Sequence, residues 1–198
     1  MPAHNLWVTQ AELFHERSAL PHGLRYTPEF LGREEEAQLL TVLRTLPFEE
    51  APYREWRARR RVVAYGGRYD FTHQRLEAAP PLPEFLWPLR SRVAEWAQLA
   101  CEDLQQALIN EYRPGTPLGW HRDAPHYESV AGVSLQGHAR LRLRPWPPRP
   151  RSRGAVTLEV EPRSAYLMQG EARWGWQHSV PATKELRYSI TFRSRRRP

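Results

Sequence analysis

The chain has 198 residues, 40% of them hydrophobic and 26% charged, with one cysteine and a net charge of +7. That is long enough to bury a substantial core and too apolar to stay disordered. No run approaches the roughly 18 apolar residues of a membrane helix. The opening "MPAHNLWVTQ" lacks the basic-then-apolar order of a secretory signal, and Cys101 alone makes no internal disulfide, so a cytoplasmic protein without a membrane span is expected. The positive charge is almost all arginine, Lys184 being the only lysine. Guanidinium forks grip phosphates and stack on flat rings, which points to an anionic polymer as partner, although genome base bias gives the same composition.

In chain order, "REEEAQLLTVLRTLPF" sets acidic residues ahead of an apolar stripe at Ala37, Leu40, Leu43 and Leu46. This predicts an amphipathic helix stopped by Pro47. A second helix is expected over roughly residues 84–101, with Leu89, Val93, Trp96 and Ala100 on one face and Pro88 in the first turn or at a kink. Between the two lies "RRRVVAYGGRYDFTHQR", basic and aromatic by turns. After residue 104 come "QALINEYRPG", "ESVAGVSL", "HARLRLRP", "GAVTLEVEP", "SAYLMQG" and "ELRYSITFR", short alternating or β-branched runs bounded by Pro or Gly. They predict antiparallel strands of a sandwich or barrel, so the class is α+β. "RPWPPRPRSRG" reads as a loop and "RSRRRP" as a basic tail.

"GWHRDAPH" places His121 and Asp123 two apart. On a strand they share a face. Imidazole and carboxylate suit a divalent metal, but two ligands hold one poorly. His178, in "WGWQHSVP", is a candidate third, and two histidines with one carboxylate leave three positions open, the pattern of non-haem Fe(II) oxygenases. With eight histidines and three aspartates, a chance His-x-Asp is unremarkable and is the plainer reading of this stretch alone. In "RYSITFR" the alternation puts Tyr188, Ile190 and Phe192 on one side and Arg187, Ser189, Thr191 and Arg193 on the other. Two arginines on a covered face need an anion, and a small dicarboxylate fits between them; two exposed strand ends are the other reading.

Together "LINEYRPGTPLGWHRD", "WQHSV" and "RYSITFR" resemble the AlkB family of Fe(II)- and 2-oxoglutarate-dependent dioxygenases over about residues 104–193, with a weaker likeness at "YGGRYDF". The resemblance implies one AlkB-like domain over 1–198: N-terminal helices and a nucleotide-recognition lid to about 103, a double-stranded β-helix (jelly-roll) core over about 104–193, and a tail over 194–198. It implies His121, Asp123 and His178 as iron ligands. It also implies Asn110, Tyr112, Arg187, Ser189 and Arg193 as contacts of 2-oxoglutarate, with Arg187 on the C5 carboxylate and Arg193 near C1. Fe(II), 2-oxoglutarate and O₂ are then the cofactor and co-substrates.

The implied reaction is oxidative dealkylation of alkylated bases in DNA, or RNA, with aldehyde release, by a monomer. A tRNA-modifying or protein-demethylating dioxygenase is the alternative, and a non-catalytic nucleic-acid-binding barrel a third. For the base, Tyr65, Tyr69 and Phe71 are candidate stacking residues, with core packing as the plainer role for Tyr69 and Phe71. Arg59, Arg60, Arg61 and Arg68 are candidate phosphate contacts, Gly66 and Gly67 give the lid freedom, and Arg122 points away from the metal toward a phosphate or the surface. His126 and His138 are not expected to be ligands. Position 125, where some relatives carry an acid, is Pro.

Overall fold

The computed structural model describes residues 20–53, 56–70, 73–148 and 154–196. A short strand, β1 (Leu24–Thr27), precedes helix α1 (Arg33–Leu43). Strands β2 (Glu49–Tyr53) and β3 (Trp56–Tyr65) follow, then a hairpin of β4 (Arg68–Asp70) and β5 (Arg75–Glu77) and helix α2 (Trp87–Ala97). The remainder is β6 (Leu104–Tyr112), β7 (Leu118–His121), β8 (Tyr127–Leu135), β9 (Ala139–Pro145), β10 (Val156–Val160), β11 (Ala165–Met168), the short helix α3 (Gly170–Trp174), β12 (Trp176–Val180) and β13 (Arg187–Arg195).

The strands form a seven-stranded sheet, order β1-β11-β8-β13-β6-β3-β2, and a four-stranded sheet, order β10-β9-β12-β7. This is the expected double-stranded β-helix, and its pairs are antiparallel. The alternation of "RYSITFR" works as its pattern implies. Tyr188, Ile190 and Phe192 join Leu43, Leu86, Leu89 and Val93 beneath the helices, while Arg187, Ser189, Thr191 and Arg193 turn into the jelly roll. A second apolar cluster, including Leu141, Leu143, Leu158 and Val160, closes the opposite sheet.

Both helices start where expected, and both are shorter. Acidic Glu34, Glu35 and Glu36 occupy the first turn of α1. That helix ends at Leu43, though Leu46 still packs on the core. The second helix is broken: a 3₁₀ turn over Glu84–Leu86 leads into α2, Pro88 sits in the first turn, and Gln98 in the left-handed region (φ 58°) ends it before Ala100.

The basic-aromatic stretch differs most from expectation. Residues through Tyr65 form β3, paired with β6 inside the large sheet. Gly66 confers no freedom to close: its φ is +71°, its N–H donates to Pro80 O at 2.7 Å, and a Cβ there would sit 1.9 Å from Gln105 O. The tail also begins later than 194, because β13 runs through Arg195. Among the described residues no helix is long and apolar enough to cross a membrane.

Candidate metal and co-substrate site

The metal-type residues come from the smaller sheet. His121 ends β7 and pairs directly with His178 on β12, their rings 4.1 Å apart between centroids. Asp123 follows in the turn after β7. One ligand atom from each of the three lies within 4.8 Å of the others. The Nδ1 of His121 is 2.8 Å from Gly119 O. A carbonyl only accepts, so Nδ1 carries the proton and Nε2 keeps its lone pair for a metal. Nε2 of His178 is 3.4 Å from Oδ2 of Asp123. Two imidazoles and a carboxylate, converging in this way, fit Fe(II).

Burial sets the charge states. It lowers His121 and, with His121 beside it, pushes His178 down to about 3, so both rings are neutral and ready to ligate. Burial alone would raise Asp123. Arg193, then His178 and His121, outweigh it and hold the carboxyl well below the usual range. The loop carrying Asp123 is fastened by Arg173 of α3, whose Nη2 donates to Ala124 O at 2.7 Å and Tyr127 O at 2.8 Å. Sequence reasoning missed Arg173, since nothing local marks an arginine in a five-residue helix as the clamp of a loop about fifty positions earlier.

A second set lines the same cavity from the large sheet: Asn110 and Tyr112 of β6, and Arg187, Ser189 and Arg193 of β13. The register sets Arg187 opposite Tyr112 and Ser189 opposite Asn110. Arg187 is only 2% exposed. Its Nε donates to Ser134 Oγ at 3.0 Å, its guanidinium lies 5.1 Å from the Tyr112 ring, and among the described residues no carboxylate pairs with it. A buried guanidinium without an anion is costly, so this pocket is built for an anionic group. The Oδ1 of Asn110, also buried, has no partner among the described residues. Tyr166 completes the wall and Ser134 stands behind it as the partner of Arg187, and neither carries a local motif in the sequence. Burial raises the Tyr166 hydroxyl to about 12. Its ring lies across Gly132, where a Cβ would come within 2.3 Å of Cζ. Strand parity in "ESVAGVSL", where Gly132 and Ser134 share a face, was the signal available.

Arg193 has a further task besides the implied one. It lines the cavity, and its Nε and Nη2 hold Oδ1 of Asp123 at 2.7 and 2.6 Å and its Nη1 donates to Gln106 Oε1 at 2.9 Å. A wider cavity of about 360 Å³ adjoins the triad; Arg68 and Tyr69 of the hairpin line it, with Arg60, Val62 and Tyr127. The Tyr69 ring lies tilted beside His126, centroids 5.4 Å apart. Tyr65 does not join them. It points to the other side of β3 and packs on the helix-side core. Arg61 also lies on that side, with Nη1 2.9 Å from Glu111 Oε1 and Nη2 3.0 Å from Phe48 O, so it is no free phosphate contact. Phe71 lies outside the described residues, as does the side chain of Arg59. Arg122 turns outward, donating to Trp174 O at 3.3 Å and lying 4.9 Å from the Trp146 ring.

Comparison with known proteins agrees with this geometry. The 2OG-Fe(II) oxygenase superfamily matches residues 23–193. An Arabidopsis thaliana protein, "Alkylated DNA repair protein ALKBH8 homolog", is 27% identical over 88% of this chain and 56% of its own length. The "Alpha-ketoglutarate-dependent dioxygenase alkB homolog 3" of Rattus norvegicus is 29% identical over 68% of this chain and 50% of its own length. The chain thus spans about half the length of these relatives. The structure of OsALKBH1 superposes with a TM-score of 0.71 at 17% identity, covering 89% of this chain and 98% of that one. The chain belongs to the 2OG-Fe(II) oxygenase superfamily, as an AlkB-like dioxygenase dependent on Fe(II), 2-oxoglutarate and O₂.

Proposed function

We propose that the protein removes alkyl groups from nucleobases in DNA by oxidation, a direct reversal of alkylation damage. The observation that carries this reading is the wider cavity beside the triad, where Arg68 and Tyr69 of the β4–β5 hairpin supply a cation and a flat ring next to His121 and Asp123. A base turned out of its stack needs that combination. Further support comes from the outer face of the small sheet. Arg142 and Arg144 lie 4.8 and 4.4 Å from the Trp120 ring, suited to phosphates and stacked bases.

In this reading His121, Asp123 and His178 hold the metal. Arg187 pairs with the far carboxylate of 2-oxoglutarate, with Asn110, Tyr112 and Ser189 beside it. Arg193 fixes Asp123 and borders the near carboxylate. Bound there, Fe(II) with 2-oxoglutarate and O₂ would supply the oxidation needed to hydroxylate a carbon bound to nitrogen. The hydroxylated group then leaves as an aldehyde, and the bare base remains. The cytoplasm, with the enzyme working as a monomer, is the setting we assign, consistent with the lone Cys101.

The test is release of succinate and formaldehyde with methylated single- and double-stranded DNA, against methylated RNA and a methylated peptide. We expect release to be stoichiometric with loss of the methyl group on DNA. Turnover on the peptide alone would defeat the proposal.

A further inference from the structure

Arg60 sits one residue before Arg61 on β3, and strand parity sends the two in opposite directions. Arg61 meets Glu111 on the helix side. Arg60 turns inward with Val62 and Ala64, and it lines both the co-substrate cavity and the wider cavity beside it. It therefore stands at their junction, next to His121. Among the described residues its buried Nε has no hydrogen-bond partner and no carboxylate pairs with it. Three carboxylates line the wider cavity. Asp123 is held by Arg193, and Glu49 and Glu50 are exposed on β2 at the margin. Among the described residues, the inner end of the cavity thus presents a guanidinium with no carboxylate beside it and with its Nε unpartnered.

We propose that Arg60 selects the base: it donates to the carbonyl oxygens of an uncharged N-alkylated pyrimidine and turns away bases that carry a positive charge. The inference rests on the nucleic-acid reading above and narrows it to a substrate class. A guanidinium has five donors and no acceptor, and it never deprotonates, so only acceptor atoms satisfy it. N3-methylthymine offers two carbonyl oxygens flanking the methylated nitrogen and no charge. N3-methylcytosine has nearly the same outline, but it is cationic and replaces one carbonyl with an amine. The amine can only donate, and its charge adds to that of Arg60 in a cavity of reduced dielectric.

The test is fluorescence anisotropy with single-stranded oligonucleotides identical but for one N3-methylthymine, N3-methylcytosine or thymine. The protein is loaded with Mn(II) and N-oxalylglycine, so that no turnover occurs. Good bidentate contacts discriminate bases by about ten-fold or more, and we expect the unsubstituted protein to favour N3-methylthymine by about that factor. Arg60→Met should bring the two affinities together, Arg60→Lys should keep part of the preference, and Arg60→Glu should reverse it. A preference for N3-methylcytosine in the unsubstituted protein overturns the proposal without needing any variant, as does an Arg60→Glu protein that selects as the parent does. A rise in the 2-oxoglutarate KM of Arg60→Met with base selectivity unchanged also overturns it, and assigns Arg60 to the co-substrate. If the protein binds all three oligonucleotides equally, the selection is wrong while nucleic-acid binding stands. If it binds none of them at low salt, both readings fail together.

Discussion

Arg193 holds one oxygen of Asp123 twice, with Nε at 2.7 Å and Nη2 at 2.6 Å from Oδ1, and leaves Oδ2 turned toward His178 Nε2 at 3.4 Å. The two oxygens therefore have separate tasks: Oδ1 anchors the carboxylate and Oδ2 is available to a metal. Pinning a ligand in this way costs nothing at the moment of metal binding, because the rotamer is already fixed. It also ties the site to the fold, since Arg193 belongs to β13 at the centre of the large sheet.

Replacing Asp123 should consequently cost more than activity. Asp123→Ala removes a metal ligand and leaves Arg193 buried without its counter-ion, a loss of roughly 3–5 kcal/mol by precedent for broken buried pairs. We expect iron-dependent 2-oxoglutarate turnover to vanish and the denaturation midpoint of the metal-free protein to fall. Adding Arg193→Met should recover stability and leave turnover at zero. Normal turnover in Asp123→Ala would remove it from the metal site.

Arg187 and Arg193 should separate in their effect on the co-substrate. Arg187 has no carboxylate partner within the described residues, whereas Arg193 is engaged with Asp123. A charge-assisted hydrogen bond contributes roughly 1.5–3 kcal/mol, so Arg187→Ala should raise the 2-oxoglutarate KM by about ten- to a hundred-fold. Arg193→Ala should chiefly weaken metal retention, read as Mn(II) affinity by calorimetry. Equal KM effects from both, with Mn(II) affinity unchanged, would contradict the assignment.

The parts of this site legible in the sequence were those with a local period. His121 and Asp123 share a face at spacing two, and the alternation of "RYSITFR" places Arg187 and Arg193 inside the jelly roll, as the structure has it. What stayed hidden depends on partners far along the chain. Nothing near Arg193 announces that Asp123, seventy residues earlier, takes its guanidinium. Nothing near Arg173 announces the Asp123 loop. The run "RRRVVAYGG" misled for another reason: three arginines and two glycines look like a mobile basic loop, while the arginines and the Val-Val-Ala-Tyr between them and the glycines are all strand. Once it is a strand, parity divides the arginines, sending Arg61 to Glu111 and Arg60 to the cavity, and it sends Tyr65 to the core.

The metal-free protein should lose stability as pH falls below neutrality. Burial keeps His121 and His178 neutral in the folded state, with His178 pushed down to about 3 against an ordinary value near 6.5. The unfolded chain therefore binds more protons between these limits, and stability rises with pH across the window. Asp123, lowered in the fold, acts in the same sense only below about 4. Urea midpoints of the metal-free protein should drop from pH 7 to pH 5, and less so in His178→Asn. A flat profile for the unsubstituted protein would mean that these imidazoles are solvated and that the triad is not enclosed.

Two arginines seven residues apart offer the sharpest test of which surface meets nucleic acid. Arg68 is exposed on the hairpin and lines the wider cavity, whereas Arg61 is spent on Glu111 and Phe48 O. If the hairpin meets a phosphate, Arg68→Ala should weaken binding to single-stranded DNA and make log Kd less steep in log salt by about 0.7, the counterion share of one contact. Tyr69→Ala, by contrast, should lose stacking of roughly 1–3 kcal/mol with the slope nearly unchanged. Arg61→Ala should leave both affinity and slope alone. It should instead lower the melting temperature, because Glu111 is buried and Arg113 becomes its remaining cation. None of these changes touches the triad, so 2-oxoglutarate turnover without substrate should match the parent. The hairpin would be excluded as the nucleic-acid contact if Arg61→Ala flattened the salt dependence while Arg68→Ala did not.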